Sequence, residues 1–456
     1  MRALSIVDLL FLILENAKQP MHVAGLCTFE IPADGDDGFV AKLISEINTD
    51  ALPNFPFNQM LYRRLFWRTS DDFQLYHHCH YHKLETGSDD ELMTLISHIH
   101  ERRLERTRPL WSLHLIDNLL PETLGAPKRF ALFLKVHHAL TDGVAAMRLF
   151  QRSLSQNPQD KNILPVWAHN LKRQKNLVQA PKTIKQVARE QLDSIRPVCR
   201  EIMQDFAKKY AQDTPFISSF DAPKSILNQR IGTARRLGFR PFDKERFVLI
   251  AKAFDVSTND VILAVCAHAL RQYLLGENQL PSQPLIAFVP ISLRKNDSAF
   301  GNQISFVPTN LSTHQDDALT RLMDIHQSIQ DGKNRFNRLS FAGVINYTAL
   351  SYGWAGLNLA TGALPTKQAF NLIISNVPGD DTPLYLNGAR LTGIYPASVL
   401  FDGQALNISF TNYQNRIDFG ITACPSALPH IDKLIGLIEE GLQVYENLLS
   451  KDKPIN

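Results

Sequence analysis

The chain has 456 residues, of which 44% are hydrophobic and 20% are charged, and its formal net charge at pH 7 is +3. This composition is typical of a folded globular protein and excludes a disordered chain, while the nearly balanced charge gives no reason to expect a nucleic-acid partner. The length exceeds that of one ordinary hydrophobic core, so we expect two domains.

The first predicted element is a short helix around the apolar residues 9–14. Asp8 and Glu15 bracket this run, and Ser5 with Asp8 resembles a capping box at a helix start. The pattern predicts a buried or amphipathic helix and not a signal peptide. Because no run of about 18 apolar residues occurs in the chain, we expect no membrane-spanning helix and only peripheral contact with any membrane.

The cysteines show neither metal-binding nor redox spacing, and they are scattered along the chain: Cys27, Cys79, Cys199, Cys266 and Cys424. An odd number without a pattern favours a reducing compartment. We therefore expect a cytoplasmic protein, either free or peripherally attached to the inner membrane or to lipid inclusions.

Four further elements are predicted before residue 112. Residues 22–29 alternate as in a strand, and residues 38–48 and 89–104 carry apolar side chains at helical spacing. We expect His22, in the strand, to be a hydrogen-bonded structural residue and not a ligand. In the stretch Pro109-Leu110-Trp111 the proline fixes a turn and the tryptophan anchors it in the core, so we predict structural support.

A dense group of potential metal ligands lies in the same part of the chain: His77, His78, Cys79, His80 and His82. Neighbouring side chains of an extended segment point to opposite faces, so three of these groups do not converge easily on one ion. The spacing therefore argues against zinc, and we predict no metal site.

The sequence is organised around the stretch His137-His138-Ala139-Leu140-Thr141-Asp142-Gly143. Residues 129–136 before it are apolar and aromatic, as in a buried strand, and residues 144–152 after it have a helical pattern. The two histidines are therefore predicted on a turn between a strand and a helix, where rigid elements hold reactive side chains.

This motif has a chemical interpretation. A neutral histidine can take a proton from a hydroxyl or thiol, provided that a carboxylate or a carbonyl fixes its tautomer. Asp142 is a candidate for that role, or it holds the loop closed by pairing with an arginine. Gly143 is expected to allow a close approach of two backbones. The alternative is a polar turn with two incidental histidines.

Residues 161–234 are predicted to form a helical linker between two halves. From residue 172 to residue 210 there are ten Lys and Arg but only four Asp and Glu, and apolar residues recur at helical spacing. Such a basic amphipathic segment could lie on an anionic membrane or on a lipid body. The alternative is a solvated helix packed on its own protein.

The second half, residues 235–456, again alternates strands and helices. Asn259 and Asp260 are expected to cap the long helix 261–275. Arg294 and Lys295, at the end of a predicted strand, could meet the phosphates of a ligand, although a charged strand end is usually just solvated. The histidine motif occurs only in the first half, so one active site is expected.

A segment low in bulky side chains follows at residues 353–363, with Gly356 and Ala360 at its centre. Small residues there either let a helix approach a neighbour or leave space for an alkyl chain. Asn302 precedes one predicted strand and Asn376 ends another, so both are candidates for stabilising an oxyanion. The sequence does not rank them.

The motif His-His-x-x-x-Asp-Gly resembles the signature of the coenzyme A-dependent acyltransferase superfamily, which includes chloramphenicol acetyltransferase and peptide-synthetase condensation domains. Further stretches narrow the resemblance to the bacterial wax ester synthase/diacylglycerol acyltransferases, over nearly the whole chain and in order. They are PMHVAGL at 20–26, PLW at 109–111, NDV at 259–261, VPISLR at 289–294, GNQ at 301–303 and SNVPG at 375–379.

The resemblance implies an α/β fold of two chloramphenicol-acetyltransferase-like domains, residues 1–160 and 235–456, with an active-site channel between them. It implies transfer of a long-chain acyl group from acyl-coenzyme A, a substrate and not a cofactor, to a fatty alcohol or diacylglycerol. His138 would be the general base, with His137 orienting the loop, Asp142 fixing its geometry and no acyl-enzyme. The alternatives are a related acyltransferase with another acceptor and a non-catalytic lipid-binding relative.

Overall fold

The structure is a computed structural model that describes residues 2–47, 51–141, 143–161, 164–169, 197–201, 203, 222–292, 304–340, 343–344, 346–348, 350 and 369–451. Most of the predicted linker, including residues 170–196 and 204–221, lies outside this set. Among the described residues, no helix combines the length and the apolar character that crossing a membrane requires.

The described strands and α-helices follow in chain order. The strands are β1 (Arg2–Ala3), β2 (His22–Glu30), β3 (Gln59–Tyr62), β4 (Phe66–Thr69), β5 (Cys79–Lys83), β6 (Trp111–Leu119), β7 (Arg129–His137), β8 (Arg236–Asp243), β9 (Ile286–Ser292), β10 (Ile304–Asn310), β11 (Leu372–Val377), β12 (Tyr385–Leu386), β13 (Ala389–Ala397), β14 (Leu406–Tyr413) and β15 (Arg416–Ala423). The helices are α1 (Ile6–Leu14), α2 (Phe39–Ile47), α3 (Asp89–Glu101), α4 (Gly143–Gln151), α5 (Lys244–Ala253), α6 (Thr258–Gly276), α7 (Ala318–Arg338) and α8 (Lys433–Lys451).

Two mixed six-stranded sheets organise the fold. The first has the order β12-β13-β2-β7-β6-β5 and the second the order β10-β9-β11-β14-β15-β8. Parallel and antiparallel pairs occur in both, for example β5 with β6 and β7 with β6. The predicted α/β class with mixed sheets is therefore confirmed, and β7 has every residue buried, as its apolar sequence predicts.

The two sheets do not follow the predicted division of the chain. Strands β12 and β13 belong to the first sheet, although the sequence places their residues in the C-terminal domain. β13 pairs with β2 through seven residue pairs, interrupted by an irregularity after Leu391. No single cut at the linker therefore separates the sheets, and β13 is an element that the sequence pattern did not reveal.

Helix α3 connects the first sheet to the second. Ser88 caps its start, and three acidic residues in its first turn suit the helix dipole. At its end, the ammonium of Lys135 donates to the carbonyls of Ile99 and Arg102, and His22 Nε2 donates to the carbonyl of His100 at 2.6 Å. α3 also packs against β8 of the second sheet, so it fixes one sheet relative to the other.

Candidate active site

The two histidines of the central motif lie where β7 ends, and neighbouring backbone segments hold them. The amide of His137 donates to the carbonyl of Leu110 at 2.9 Å, and the amide of His138 donates to the carbonyl of Met21 at 2.8 Å. β7 pairs antiparallel with β2, which places His137 opposite His22. The predicted strand-to-turn position of the motif is therefore confirmed.

His137 is completely buried and faces the protein interior. Its Nδ1 accepts a hydrogen bond from the amide of Ala139 at 3.0 Å, so the proton of the neutral ring is on Nε2. That Nε2 lies 3.5 Å from the carboxylate oxygen Oε1 of Glu15. The ring is fixed in one tautomer and completely buried, and its predicted orienting role stays a prediction.

Glu15 lies between His137 and Arg106. Its Oε2 accepts from Arg106 Nε at 2.8 Å, and its Oε1 faces both His137 and, at 3.5 Å, the amide of Met21. Burial tends to raise the pKa of the Glu15 carboxyl, but the proximity of His137 and the hydrogen bond and charge of Arg106 outweigh it, so the pKa is below its ordinary value. The group is therefore a buried carboxylate with a fixed partner on each side.

Sequence reasoning missed Glu15 and Arg106. Glu15 stands at the C-cap of α1, where the negative end of the helix dipole disfavours a carboxylate. An acid that ends an apolar helix is a signal that something specific compensates it. Arg106 carries no such signal, because it comes from a loop 91 positions away in sequence.

His138 has a different environment from His137. Its side chain is half-buried, and its ring stacks on that of Phe11 with the centroids 4.2 Å apart and the planes 16° from parallel. Nδ1 of His138 is buried. The ring is therefore held in place by α1 but is neither enclosed in the core nor fully exposed to solvent.

The remaining residues of the motif are only partly described. Asp142 lies outside the described residues, so its predicted role stays a prediction. Gly143 begins α4, and a Cβ atom added there would meet nothing within 4 Å among the described residues. The expected close backbone approach at Gly143 is therefore wrong for the part of the chain that the structure describes.

The stretch Pro109-Leu110-Trp111 supports the turn that carries the two histidines. Leu110 and Trp111 are buried, and the Leu110 carbonyl is the one that holds His137. The indole of Trp111 donates to the carbonyl of Phe57 at 2.9 Å and stacks on Trp167. This agrees with the predicted support.

Asn259 and Asp260 do not cap α6 as predicted. The N-cap is Ser257, whose hydroxyl accepts from the Asp260 amide, while the Asp260 carboxylate accepts from the Ser257 amide at 3.0 Å. The buried carboxylate of Asp260 also accepts from His326 Nδ1 at 2.8 Å. The predicted helix start at residue 261 thus lies three residues too late, and Asp260 completes a capping box.

Of the other predicted site residues, only Asn376 is described. It is exposed near the end of β11, as the sequence predicts for a polar group at a strand terminus. Asn302, Gly356, Ala360, Arg294 and Lys295 lie outside the described residues. Their predicted roles stay predictions.

The histidine-rich strand β5 does bring three imidazoles together. His82 Nε2 lies 3.0 Å from Nδ1 of His114, and the rings of His80 and His114 stack at 4.8 Å. The third ring comes from β6, which the sequence argument did not include. Among the described residues, no group of three or more His, Cys, Asp and Glu side chains has the arrangement of a metal site.

Comparison with models of protein families shows which family the chain belongs to. Residues 4–262 match the model of the wax ester synthase/diacylglycerol acyltransferase catalytic domain, and residues 300–446 match that of the C-terminal domain of the same proteins. The chain belongs to the wax ester synthase/diacylglycerol acyltransferase family. The resemblance inferred from the motifs is thus confirmed.

Relatives of this family match over the full chain. The O-acyltransferase WSD of Acinetobacter baylyi is 44% identical, with 100% of this chain and 99% of the relative covered. A Mycobacterium tuberculosis protein named for diacylglycerol O-acyltransferase activity is 35% identical, with 97% and 99% covered.

Solved structures agree in fold. The wax ester synthase/diacylglycerol acyltransferase of Marinobacter aquaeolei superposes with a TM-score of 0.80 at 35% identity, over 98% of this chain and 99% of that one. The starter condensation domain of rhizomide synthetase, 12% identical, reaches 0.55 over 98% and 94% and shows the fold alone. Mixed sheets of this type are therefore shared with the condensation domains, as the sequence implied.

Proposed function

We propose that this protein transfers a long-chain acyl group from acyl-coenzyme A to the hydroxyl of a fatty alcohol or a diacylglycerol, with His138 as the general base. Membership of the family supports acyl transfer to these acceptors. The observation that carries the residue assignment is the contrast between the two histidines. His137 is completely buried with its ring nitrogens directed at Ala139 and Glu15, while His138 is half-buried.

In the reaction one proton moves from the acceptor hydroxyl to the departing thiolate, with His138 as the carrier. His138 takes the proton of the acceptor hydroxyl while that oxygen forms a bond to the thioester carbonyl carbon. The bond from carbon to sulfur then breaks, and the imidazolium returns the proton to the departing thiolate. The buried position of Nδ1 makes Nε2 the proposed proton acceptor. No acyl-enzyme forms, so serine and cysteine nucleophiles are not needed.

The surroundings of His138 supply geometry. Phe11 holds one face of the ring, and the Met21 carbonyl holds the backbone. Asp142 is proposed to fix the loop, and Asn302 or Asn376 to stabilise the oxyanion. Acyl-coenzyme A is a substrate in this scheme, and the chemistry needs neither a metal nor a resident cofactor.

The experiment that tests this function follows thiol release and lipid products together. Purified protein with palmitoyl-coenzyme A is given hexadecanol, diacylglycerol, an amine or no acceptor. We expect thiol release to require hexadecanol or diacylglycerol and to match the ester formed. Thiol release that depends only on the amine would identify another acceptor class. Lipid binding without any thiol release would identify a non-catalytic relative.

The acyl or alcohol chain is proposed to run along the small-residue segment around Gly356 and Ala360. Larger side chains there would shorten the space available to a fatty chain. We expect Gly356→Leu and Ala360→Phe to shift the preferred chain length downward in a competition assay with mixed C8 to C18 alcohols. Unchanged preference in both variants would exclude this segment as the lining.

Peripheral association with a membrane or lipid body is also proposed, because both substrates are lipids and the described helices are not of the spanning kind. The basic linker at residues 161–234 is one candidate for the contact. Flotation with and without anionic lipid tests it, and absence of binding under both conditions rejects it. Cytoplasmic location remains part of the same proposal.

A further inference from the structure

Helix α1 is apolar on both of its faces. Leu12 and Leu14 are buried, while Leu10 and Ile13 are 46% and 68% exposed. A surface helix normally carries polar side chains toward water. Because these two apolar residues are three positions apart, they lie together on the outer face of the helix.

A small sheet formed by β1, β4 and β3 lies beside the start of α1. The carbonyl of Leu65, next to β4, accepts from the amide of Leu4 at 3.0 Å, and Ser5 then caps α1. The buried indole of Trp67 donates to Asp8 in the first turn of the helix at 3.5 Å. The hairpin formed by β3 and β4 is therefore attached to helix α1.

The tip of this hairpin combines apolar and basic residues. Leu65 and Phe66 are 54% and 36% exposed. Arg63 and Arg64, also exposed, have positive φ angles of 48° and 60°, a conformation that turns usually assign to Gly, Asn or Asp. Neither arginine forms an ion pair within the part of the chain that the structure describes, and the Arg63 guanidinium lies 5.3 Å from the centroid of the Tyr62 ring. Turn geometry therefore does not account for two arginines here.

The exposed face of α1 is adjacent to the proposed catalytic base. Phe11, which stacks on His138, lies in α1 directly after the exposed Leu10. Glu15, which faces His137, follows the same helix at its other end. One short helix therefore touches the active site on its inner side and presents apolar residues to solvent on its outer side.

We propose that the α1–hairpin surface docks the protein on an anionic phospholipid surface. It is defined by two helix residues and four hairpin residues: Leu10, Ile13, Arg63, Arg64, Leu65 and Phe66. The apolar side chains insert among the lipids, and the two positively charged guanidinium groups bind the negatively charged lipid phosphates. Docking in this orientation brings an acceptor dissolved in the lipid toward His138. The inference rests on the proposed function, since it specifies where that function meets its lipid.

The test is flotation of full-length protein with vesicles of phosphatidylglycerol and phosphatidylcholine, or of phosphatidylcholine alone. We expect binding only to the anionic vesicles. The paired substitutions Leu10→Ser with Ile13→Ser, and Arg63→Glu with Arg64→Glu, should each reduce the bound fraction about tenfold or more. The arginine contribution should also weaken at high salt.

Matched controls use residues of the same kind elsewhere on the surface. Leu319→Ser with Met323→Ser alters two exposed apolar residues of α7, and Lys224→Glu with Lys252→Glu reverses two exposed charges. Both controls should bind as the wild type does. Wild-type protein that does not bind anionic vesicles, or paired α1–hairpin variants that bind like the controls, would overturn the proposal. Loss in the arginine variant alone would show electrostatic attraction without insertion and would overturn it too.

Activity measurements separate this inference from the proposed function. With a short alcohol presented in solution, the docking variants should keep the wild-type rate. With diacylglycerol presented in anionic vesicles, the KM should rise about tenfold with kcat unchanged. If the protein is active on the dissolved alcohol but these substitutions leave the KM for diacylglycerol in vesicles unchanged, the proposed function stands and the docking surface is rejected.

Discussion

The two sheets hold different kinds of interior. Helix α6, packed on the second sheet, is buried continuously from Asp260 to Leu270 and is mostly apolar along that length. The interface between the first sheet and α3 instead buries ionisable side chains: His100 from the helix, and His22, His114, Lys135 and His137 from the sheet. The first interior keeps these groups, which are costly to bury, close to the turn that carries the two histidines. The second half also buries a few ionisable side chains, among them Asp260, Arg321 and Asp418.

The ionisable groups in the first sheet are kept neutral or paired. Burial lowers the pKa of Lys135 to about 7, and burial together with the nearby histidines lowers that of His114 to about 2. Such groups reduce the free energy of unfolding unless partners compensate them. The comparison teaches that the largely apolar packing around α6 stabilises a fold whose first sheet carries ionisable groups next to the two histidines of the motif.

The largest expected effect is that of His138→Ala on turnover. Loss of a positioned general base should lower kcat by about 10²–10⁴-fold. The melting temperature should change little, because the ring is half-buried and the backbone hydrogen bond that holds the turn is left in place. Initial rates with palmitoyl-coenzyme A and hexadecanol, together with a thermal melt, measure both. The exposed His98 provides the control His98→Ala, and wild-type turnover in His138→Ala would refute the assignment of the base.

A substitution in the core beside the second sheet should lower stability and leave turnover unchanged. Leu270 is fully buried in α6, so Leu270→Ala should lower the free energy of unfolding by about 2–5 kcal/mol. The activity per folded molecule should be unchanged, because the residue lies in the apolar core. Leu275→Ala, at a 42% exposed position of the same helix, is the matched control for denaturant unfolding. A folded Leu270→Ala protein with reduced kcat would break the proposed separation of roles.

Glu15→Gln should affect both properties moderately. The amide keeps the shape of the side chain but removes the negative charge that faces His137 and Arg106. We expect kcat to fall about 10–100-fold and the free energy of unfolding to fall by about 1–3 kcal/mol. Glu105→Gln removes an exposed carboxylate that also pairs with an arginine, and it should be neutral.

A positioning role for Glu15 has its own signature. The loss should appear in kcat with KM for both substrates nearly unchanged, and Glu15→Asp should recover part of it. A variant that is destabilised but has wild-type kcat would assign Glu15 to stability alone.

The sequence predicted elements better than it predicted their assembly. The strand–turn–helix around His138 was predictable, because a long apolar run and a helical pattern flank the motif. β13 was not, because its pattern is irregular and its partner, β2, lies more than 350 positions away. Pairing of that kind depends on the whole fold and leaves no local signal.

The candidate site shows the same limit. The residues proposed to touch a substrate belong to one motif and can be found by spacing. The residues that hold that motif, such as Glu15, Arg106 and the Leu110 carbonyl, come from distant segments and act partly through backbone atoms. A carbonyl has no sequence signature, so this supporting layer requires the three-dimensional structure.

The smallest expected effect is on how stability depends on pH, and it arises at the first sheet. Burial, followed by the charge of Lys135, lowers the pKa of His100 from 6.5 to about 3. Between these two values the unfolded chain binds a proton that the folded protein does not, so stability falls as the pH is lowered from about 6.5 toward 3. This histidine contributes at most about 1.4 kcal/mol per pH unit. Urea unfolding at pH 7, 6, 5 and 4 measures the slope.

His100→Gln tests the origin of that slope. The amide can still donate to the Ser398 carbonyl, as His100 Nε2 does at 3.1 Å, but it does not titrate. We expect a shallower decline of stability below pH 6.5, while His430→Gln, at an exposed position, should leave the slope unchanged. An unaltered slope in His100→Gln would mean that the acid sensitivity comes from elsewhere, and that this buried face costs less than its pKa shifts indicate. The contrast between the ionisable face of the first sheet and the largely apolar packing around α6 would then be a difference in composition without a difference in stability.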